Sequence, residues 1–262
     1  MTSGAPSRAS LPGTRPTGVA DEAAASRHVR EMFSRIAPRY DLLNHLLSLR
    51  FDVMWRRRLA RRFRSVLARP DIRVLDICCG TGDLALSLAA EIRRANPSSP
   101  GKIFGGDFAH PMLIRAREKA NQAGEGVAIE FLEADALALP FADQSFDLIT
   151  TAFGFRNLAN YSAGLAEFYR VLKPGGAVAI LEFTEPESAL FGLIYRFYFH
   201  HILPRLGGVV SGSPQAYTYL PGSVARFPKP AELANLMKET RFADVDAERW
   251  TGGIVALHTA HR

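Results

Sequence analysis

The sequence predicts an α/β protein: a doubly wound, mainly parallel, seven-stranded sheet with an N-terminal helical cap and an inserted lid. Three observations lead there. From residue 73 onward, short apolar runs alternate with segments of helical periodicity, the pattern of strand–helix–strand units whose helices cover both faces of a parallel sheet. The first run opens directly into a glycine turn and then a helix, which is how such folds bring backbone close to a ligand. The chain has 262 residues, 47% of them hydrophobic, enough for one large core plus additions at roughly 150 residues per domain.

Residues 1–25 read as a disordered tail, because positions 1–18 are rich in Ser, Pro, Gly, Thr and Ala and lack the apolar core of a signal peptide. Residues 26–262 then form one domain, with a helical cap at 26–70. Within the cap, Val29, Met32, Phe33 and Ile36, then Tyr40, Leu43, Leu46 and Leu47, recur at helical spacing. Pro38 divides them into two short helices. A third helix is expected over about 51–67; its Arg56, Arg57, Arg58, Arg61, Arg62 and Arg64 equal the whole net charge of +6.

The expected strands are RVLDI (73–77), KIFGGD (102–107), AIEFLEA (128–134), FDLITTA (146–152) and GAVAILEF (176–183), with two more at about 244–250 and 253–260. Helices are expected at about 83–95, 111–122 and 161–172, and Lys173-Pro174-Gly175-Gly176 is a stop and turn signal before the fifth strand. An aromatic-rich helical insertion at about 188–206, a loop, and a helix near 230–240 complete the order. Residues 188–222 are the lid or acceptor insertion.

Two adjacent cysteines, Cys78 and Cys79, are the only ones. Neighbours in sequence do not reach relaxed disulfide geometry, and no metal-ligand spacing accompanies them. A reduced, cytoplasmic setting follows, with no metal. No apolar stretch of the ~18 residues needed to span a bilayer occurs.

VLDICCGTGD (74–83) places Asp76 at the end of strand one and Gly80, Thr81 and Gly82 in the turn. It is not the G-x-G-x-x-G of dinucleotide sites, because Cys78 replaces the first glycine, and no Gly-Lys-Ser/Thr makes it a phosphate loop. Asp107 ends the second strand and Asp135-Ala136 follows the third. Singly, such an aspartate is more often a helix cap or turn residue. Three acids at three consecutive strand ends beside a glycine turn favour a ligand.

This pattern resembles the first motif of class I S-adenosylmethionine-dependent methyltransferases, a Rossmann-like fold. The resemblance implies S-adenosyl-L-methionine as cofactor, with Asp76 near the methionyl ammonium, Gly80, Thr81 and Gly82 against the cofactor, Asp107 on the ribose and Asp135-Ala136 at the adenine. Segments at 29–57, 153–158 (FGFRNL), 168–176 (FYRVLKPGG), 203–208 (LPRLGG) and 252–258 (GGIVALH) are similar to the menaquinone/ubiquinone biosynthesis C-methyltransferases, the demethylmenaquinone methyltransferase family. That resemblance runs from about residue 28 to the end and implies C-methylation of a demethylmenaquinol. The benzoquinol precursor of ubiquinone, or another lipophilic phenol, is the alternative acceptor. Where some relatives carry serine before the Phe-Gly, this chain has Ala152, with Thr151 as a partial replacement.

Methylating a quinol ring carbon requires a hydroxyl to lose its proton as the carbon attacks the methyl, so positioning and a proton acceptor are needed. Arg156 and Asn157, after strand four, and Tyr40 on the cap are the expected catalytic residues; Asp41, His200, His201 and His258 are further candidates. Arginine is a poor base, so Arg156 is expected to stabilise the quinolate or orient a water. The apolar insertion at 191–203 and the arginine helix suggest an isoprenoid quinol partner and contact at the inner face of the cytoplasmic membrane. A homo-oligomer is compatible with the sequence. Nucleic acid is not expected, because the arginines cluster away from the aromatics instead of interleaving with them.

Overall fold

In the computed structural model, residues 13–16, 19, 21–41, 48–124, 127–186 and 214–262 are described, with side chains left out at 39, 214–218 and 220. Strands β1 (Arg73–Ile77), β2 (Lys102–Asp107), β3 (Ala128–Glu133), β4 (Phe146–Ala152), β5 (Leu172–Phe183), β6 (Ala243–Trp250) and β7 (Val255–His261) form one sheet. Its order is β3-β2-β1-β4-β5-β7-β6. β7 runs antiparallel to both neighbours, and the other pairs are parallel. Strand order reverses between β1 and β4, so a crevice opens beyond their carboxyl ends, where ligands of such sheets bind.

The helices are α1 (Glu22–Ile36), α2 (Phe51–Arg62), α3 (Arg64–Leu67), α4 (Asp83–Ala95), α5 (His110–Ala123), α6 (Tyr161–Val171), α7 (Pro214–Arg226) and α8 (Pro230–Glu239). Alternation along the strands divides the core. Leu75, Ile77, Val178 and Ile180 pack with α6 and α8 through Leu165, Phe168, Leu233 and Met237. Val74, Leu148, Ala179 and Leu181 pack on the other side with Trp55 and Leu59 of α2 and Leu84, Leu88 and Ile92 of α4. A smaller cluster joins Met32 and Ile36 of α1 to Ala109, Met112 and Val224. The cap is thereby anchored over the carboxyl ends of the strands.

Several expectations change. α1 starts at Glu22, with Asp21 as its cap accepting the Ala24 N–H at 2.7 Å. Residues 13–16 also belong to the fold: Thr14 is 5% exposed, its N–H donates to the Leu158 carbonyl at 2.7 Å, and the Arg15 guanidinium donates to the Ala159 carbonyl at 2.7 Å. Composition misassigned residues 13–16 to a tail because their order comes from partners more than a hundred residues away, whereas the start of α1 is capped locally by Asp21. The expected helix at 51–67 breaks at Phe63, whose φ of −101° and ψ of 17° leave the helical range. Strand pairing starts at Leu172, opposite Phe146, and the Lys-Pro-Gly-Gly segment is a register shift inside β5 rather than a turn before it. α7 occupies what read as loop: Pro214 and Pro221 are breaker signals, yet Val224 buries in the cap cluster and Tyr219 packs against it. Of the lid at 188–222, residues 188–213 lie outside the described residues, including His200 and His201.

Candidate active site

The crevice at the β1/β4 reversal is roofed by the cap. Its walls include Phe33 and Tyr40 from the cap, Arg56 of α2, Asp76 and 78–81 from the first turn, Asp83 of α4, and Asp107, Phe108 and Met112 around the start of α5. Asp135-Ala136 and the segment 152–159, except Phe155 and Arg156, close the far side.

The turn's shape explains its residues. Gly82 has φ +83°, and a Cβ there would stand 3.1 Å from both the Ala116 Cβ and the Phe131 ring. Cys78 occupies the left-handed region at φ +56°, which a non-glycine residue adopts only when its surroundings hold it. Burial pushes both cysteine thiols well above their ordinary range, with Asp107 adding to the effect. They are neutral packing groups.

Asp76 is fully buried; its Oδ1 accepts the Thr150 hydroxyl at 3.0 Å, while its Oδ2 meets no partner. Burial raises its pKa from 3.8 to about 7, against the Thr150 hydrogen bond and the Arg56 charge, which lower it. Asp107 accepts the Gly80 N–H and the Ala109 N–H, each at 2.9 Å. Burial likewise lifts it to about 6, the two N–H bonds opposing. Each oxygen of Asp107 retains a second acceptor site. Asp135 accepts the Leu137 N–H at 2.9 Å and is exposed at the mouth beside buried Ala136.

Thr81 is engaged in a network that the sequence did not announce. Its hydroxyl donates to Asp41 Oδ1, and Lys119 Nζ donates to it at 3.1 Å. Lys119 also pairs with Asp41 Oδ2 at 3.0 Å and with Asp83. Arg56, 6% exposed, pairs with Asp52 at 2.5 Å and lies 3.9 Å from Asp83. The candidate base Asp41 is thus a tie between cap, first turn and α5.

The structure corrects the role of Arg156. Its guanidinium is not part of the crevice wall and is engaged by the protein itself: it pairs with Glu182 Oε2 at 2.9 Å and donates to the Phe153 carbonyl, and its backbone N–H donates to Glu182 Oε1 at 3.0 Å. Glu182 is fully buried on β5, a carboxylate that read only as strand sequence. Asn157 does line the crevice, its Oδ1 accepting the Tyr219 hydroxyl at 3.0 Å, and Tyr219 meets Thr14 at 3.1 Å. Tyr40 lines it too, its ring edge 3.8 Å from where a Gly80 Cβ would stand. His258 is a core residue instead: 1% exposed, Nε2 on the Pro230 carbonyl at 3.0 Å, pKa lowered by burial. Ala152 lines the crevice, and Thr151, its neighbour on the strand, is buried with its hydroxyl unpartnered, 3.3 Å from where a Cβ on the crevice residue Gly154 would stand.

Comparison with known proteins decides the family. The model of the ubiE/COQ5 methyltransferase family matches residues 21–262. The chain belongs to that family. A Thermus thermophilus demethylmenaquinone methyltransferase is 50% identical over 232 residues, which is 88% of this chain and all of that protein. The ubiquinone/menaquinone biosynthesis C-methyltransferase of Geobacter sulfurreducens is 44% identical, over 89% of this chain and 88% of that protein. Among solved structures, an S-adenosylmethionine-dependent methyltransferase from Thermotoga maritima superimposes with a TM-score of 0.58 at 22% identity, covering 88% of this chain and 98% of its own. The [4+2]-cyclase SpnF reaches 0.58 at 18% identity, covering 97% and 99%, so the fold alone does not assign a reaction. Membership makes this member an S-adenosylmethionine-dependent methyltransferase, and the crevice fits that donor: Asp76 Oδ2 is a buried, unpartnered acceptor for a cationic group, and the glycine turn leaves backbone open to close approach.

Proposed function

We propose that the protein methylates a ring carbon of a demethylmenaquinol, giving menaquinol. What supports this acceptor above others is the 50% identity to a demethylmenaquinone methyltransferase that this chain covers end to end. The donor supplies an electrophilic methyl on a positively charged sulfur. Asp76 holds its ammonium, Arg56 at the same wall holds its carboxylate, Asp107 takes the ribose hydroxyls, and Ala136 with Asp135 meets the adenine. Thr81, tied to Asp41 and Lys119, acts by keeping the cap closed.

On the acceptor side, Tyr219 fixes the Asn157 Oδ1, so the Asn157 amide N–H groups are presented as donors to a quinol oxygen. Tyr40, from the cap, closes over the ring and excludes water. Arg156 is a positioning residue: paired with Glu182, it fixes the turn that carries Asn157. Phe33, Phe108, Met112, Phe153 and Leu158 supply the apolar wall that an aromatic quinol needs. The quinol is drawn from a bilayer, since its isoprenoid tail is membrane-resident; among the described residues no helix is long and apolar enough to cross one.

The test is anaerobic incubation of the pure protein with S-adenosylmethionine and chemically reduced demethylmenaquinone. Mass spectrometry should find menaquinol and S-adenosylhomocysteine in equal amounts. Methylation of the benzoquinol precursor alone would move the acceptor to the ubiquinone pathway, and no product from either quinol would reject the proposal.

A further inference from the structure

α2 has two faces with different fates. Inward, Trp55, Arg56 and Leu59 are buried, Arg56 at the crevice wall. Outward, Phe51, Met54, Arg57, Arg58 and Arg61 succeed one another at helical spacing, forming one exposed stripe. Its amino-terminal end is apolar: Leu49 is 71% exposed, Phe51 42% and Met54 45%. Its carboxyl-terminal end is basic. Arg58 spends its charge on Glu248 at 2.5 Å, but among the described residues Arg57 and Arg61 make no ion pair.

The turn before α2 sharpens the picture. Leu49 and Arg50 both hold positive φ, +51° and +62°, a conformation that L-residues with side chains adopt at a cost. Two strained residues in succession keep the most exposed apolar side chain of this patch, Leu49, turned into solvent. Backbone strain of this kind accompanies working surfaces.

We propose that this face seats the protein on an anionic lipid bilayer, with Leu49, Phe51 and Met54 in the acyl boundary and Arg57 and Arg61 on the phosphate headgroups. Apolar side chains beside unpaired arginines are the chemistry of an interfacial helix. A second copy of this chain fits less well, because a two-fold contact sets the arginines of one stripe against either the arginines or the apolar end of the other. Nucleic acid would match the arginines and leave the apolar trio in water. The function rests on the quinol reading above: the helix that walls the crevice would lie on the membrane from which the quinol comes. Lipid binding itself is measurable without any quinol.

The experiment is co-sedimentation of the full chain with vesicles of phosphatidylcholine, alone and mixed with phosphatidylglycerol. Wild type should bind the mixed vesicles, weaken with salt, and leave pure phosphatidylcholine largely unbound. Taking about 1 kcal/mol per surface arginine, R57E/R61E should partition at least about 30-fold more weakly. L49S/M54S should also lose binding to the mixed vesicles. Both variants should keep wild-type methylation of a tail-less demethylnaphthoquinol, which shows that they are folded. Unchanged vesicle binding by R57E/R61E, or equal binding to both lipid compositions, overturns the proposal. So does a dimer in sedimentation velocity that L49S/M54S converts to monomer while lipid binding stays absent. Wild-type binding to anionic vesicles without methylation of any reduced quinol would instead reject the acceptor and leave this surface standing.

Discussion

Asp76→Asn separates what the site costs the fold from what it does for the ligand. The side chain is fully buried with one oxygen unpartnered, and its pKa rises from 3.8 to about 7. In the ligand-free protein the folded state therefore holds a proton that the unfolded chain releases. Stability falls as pH rises through that window, and the whole penalty is present above about 7. A shift of this size corresponds to on the order of 4 kcal/mol at ~1.4 kcal/mol per unit. Asparagine keeps the acceptor for the Thr150 hydroxyl and removes the charge. At about pH 8 the variant should melt about 10 °C above wild type, at a few degrees per kcal/mol for a chain of this class, and the gap should narrow below about 7 and close towards about pH 4. Calorimetric titration with S-adenosylmethionine should show the reverse preference. Losing a charged hydrogen bond should weaken binding by roughly 10- to 100-fold. Wild-type affinity should rise with pH up to about 7, where Asp76 is ionised before the ligand arrives, and the variant should lack that rise. An Asp76→Asn protein no more stable than wild type at about pH 8, or one that binds the donor equally well, would refute the assignment of this carboxylate to a cationic ligand.

Glu182→Ala leaves the Arg156 guanidinium buried without its partner and should destabilise the protein by about 3–5 kcal/mol in urea unfolding, whereas Arg156→Met with Glu182→Leu should recover most of it. A loss below about 1 kcal/mol would show that the pair does not hold the turn carrying Asn157. Lys119→Met and Asp41→Asn should each weaken donor binding, and their double-mutant cycle should show a coupling of about 0.5–3 kcal/mol; additive effects would mean that the cap is not fastened through this pair.

Much of the fold is legible in the sequence because strand and helix periods are local properties. The run RVLDI is a strand of just that extent, and α4 begins at Asp83 because Gly82 supplies the left-handed turn ahead of it. Features that depend on distant partners are not legible. Thr14 and Arg15 join the fold through Leu158 and Ala159, and α7 forms despite Pro221 because Tyr219 and Val224 have somewhere to pack. The Lys-Pro-Gly-Gly segment keeps its turn chemistry yet sits inside a strand, because Phe146 pairs across it.

The site divides along the same line. Asp76, Gly80, Thr81, Asp107, Asp135 and Ala136 line one crevice, since the carboxyl ends of consecutive parallel strands must converge in this topology, whereas Gly82 faces Ala116 and Phe131 and shapes the turn. By itself the sequence determined a parallel sheet, a glycine turn and three acids at strand ends. The tertiary structure decided which charges face the crevice. Arg156 turns inward because Glu182, one strand away, offers a buried carboxylate, and Arg56, which read as one of six surface arginines, takes its place at the wall. Strand and turn propensities act over a few residues, but a charged side chain settles wherever its counter-charge lies, and that is fixed only when the sheet brings distant segments together.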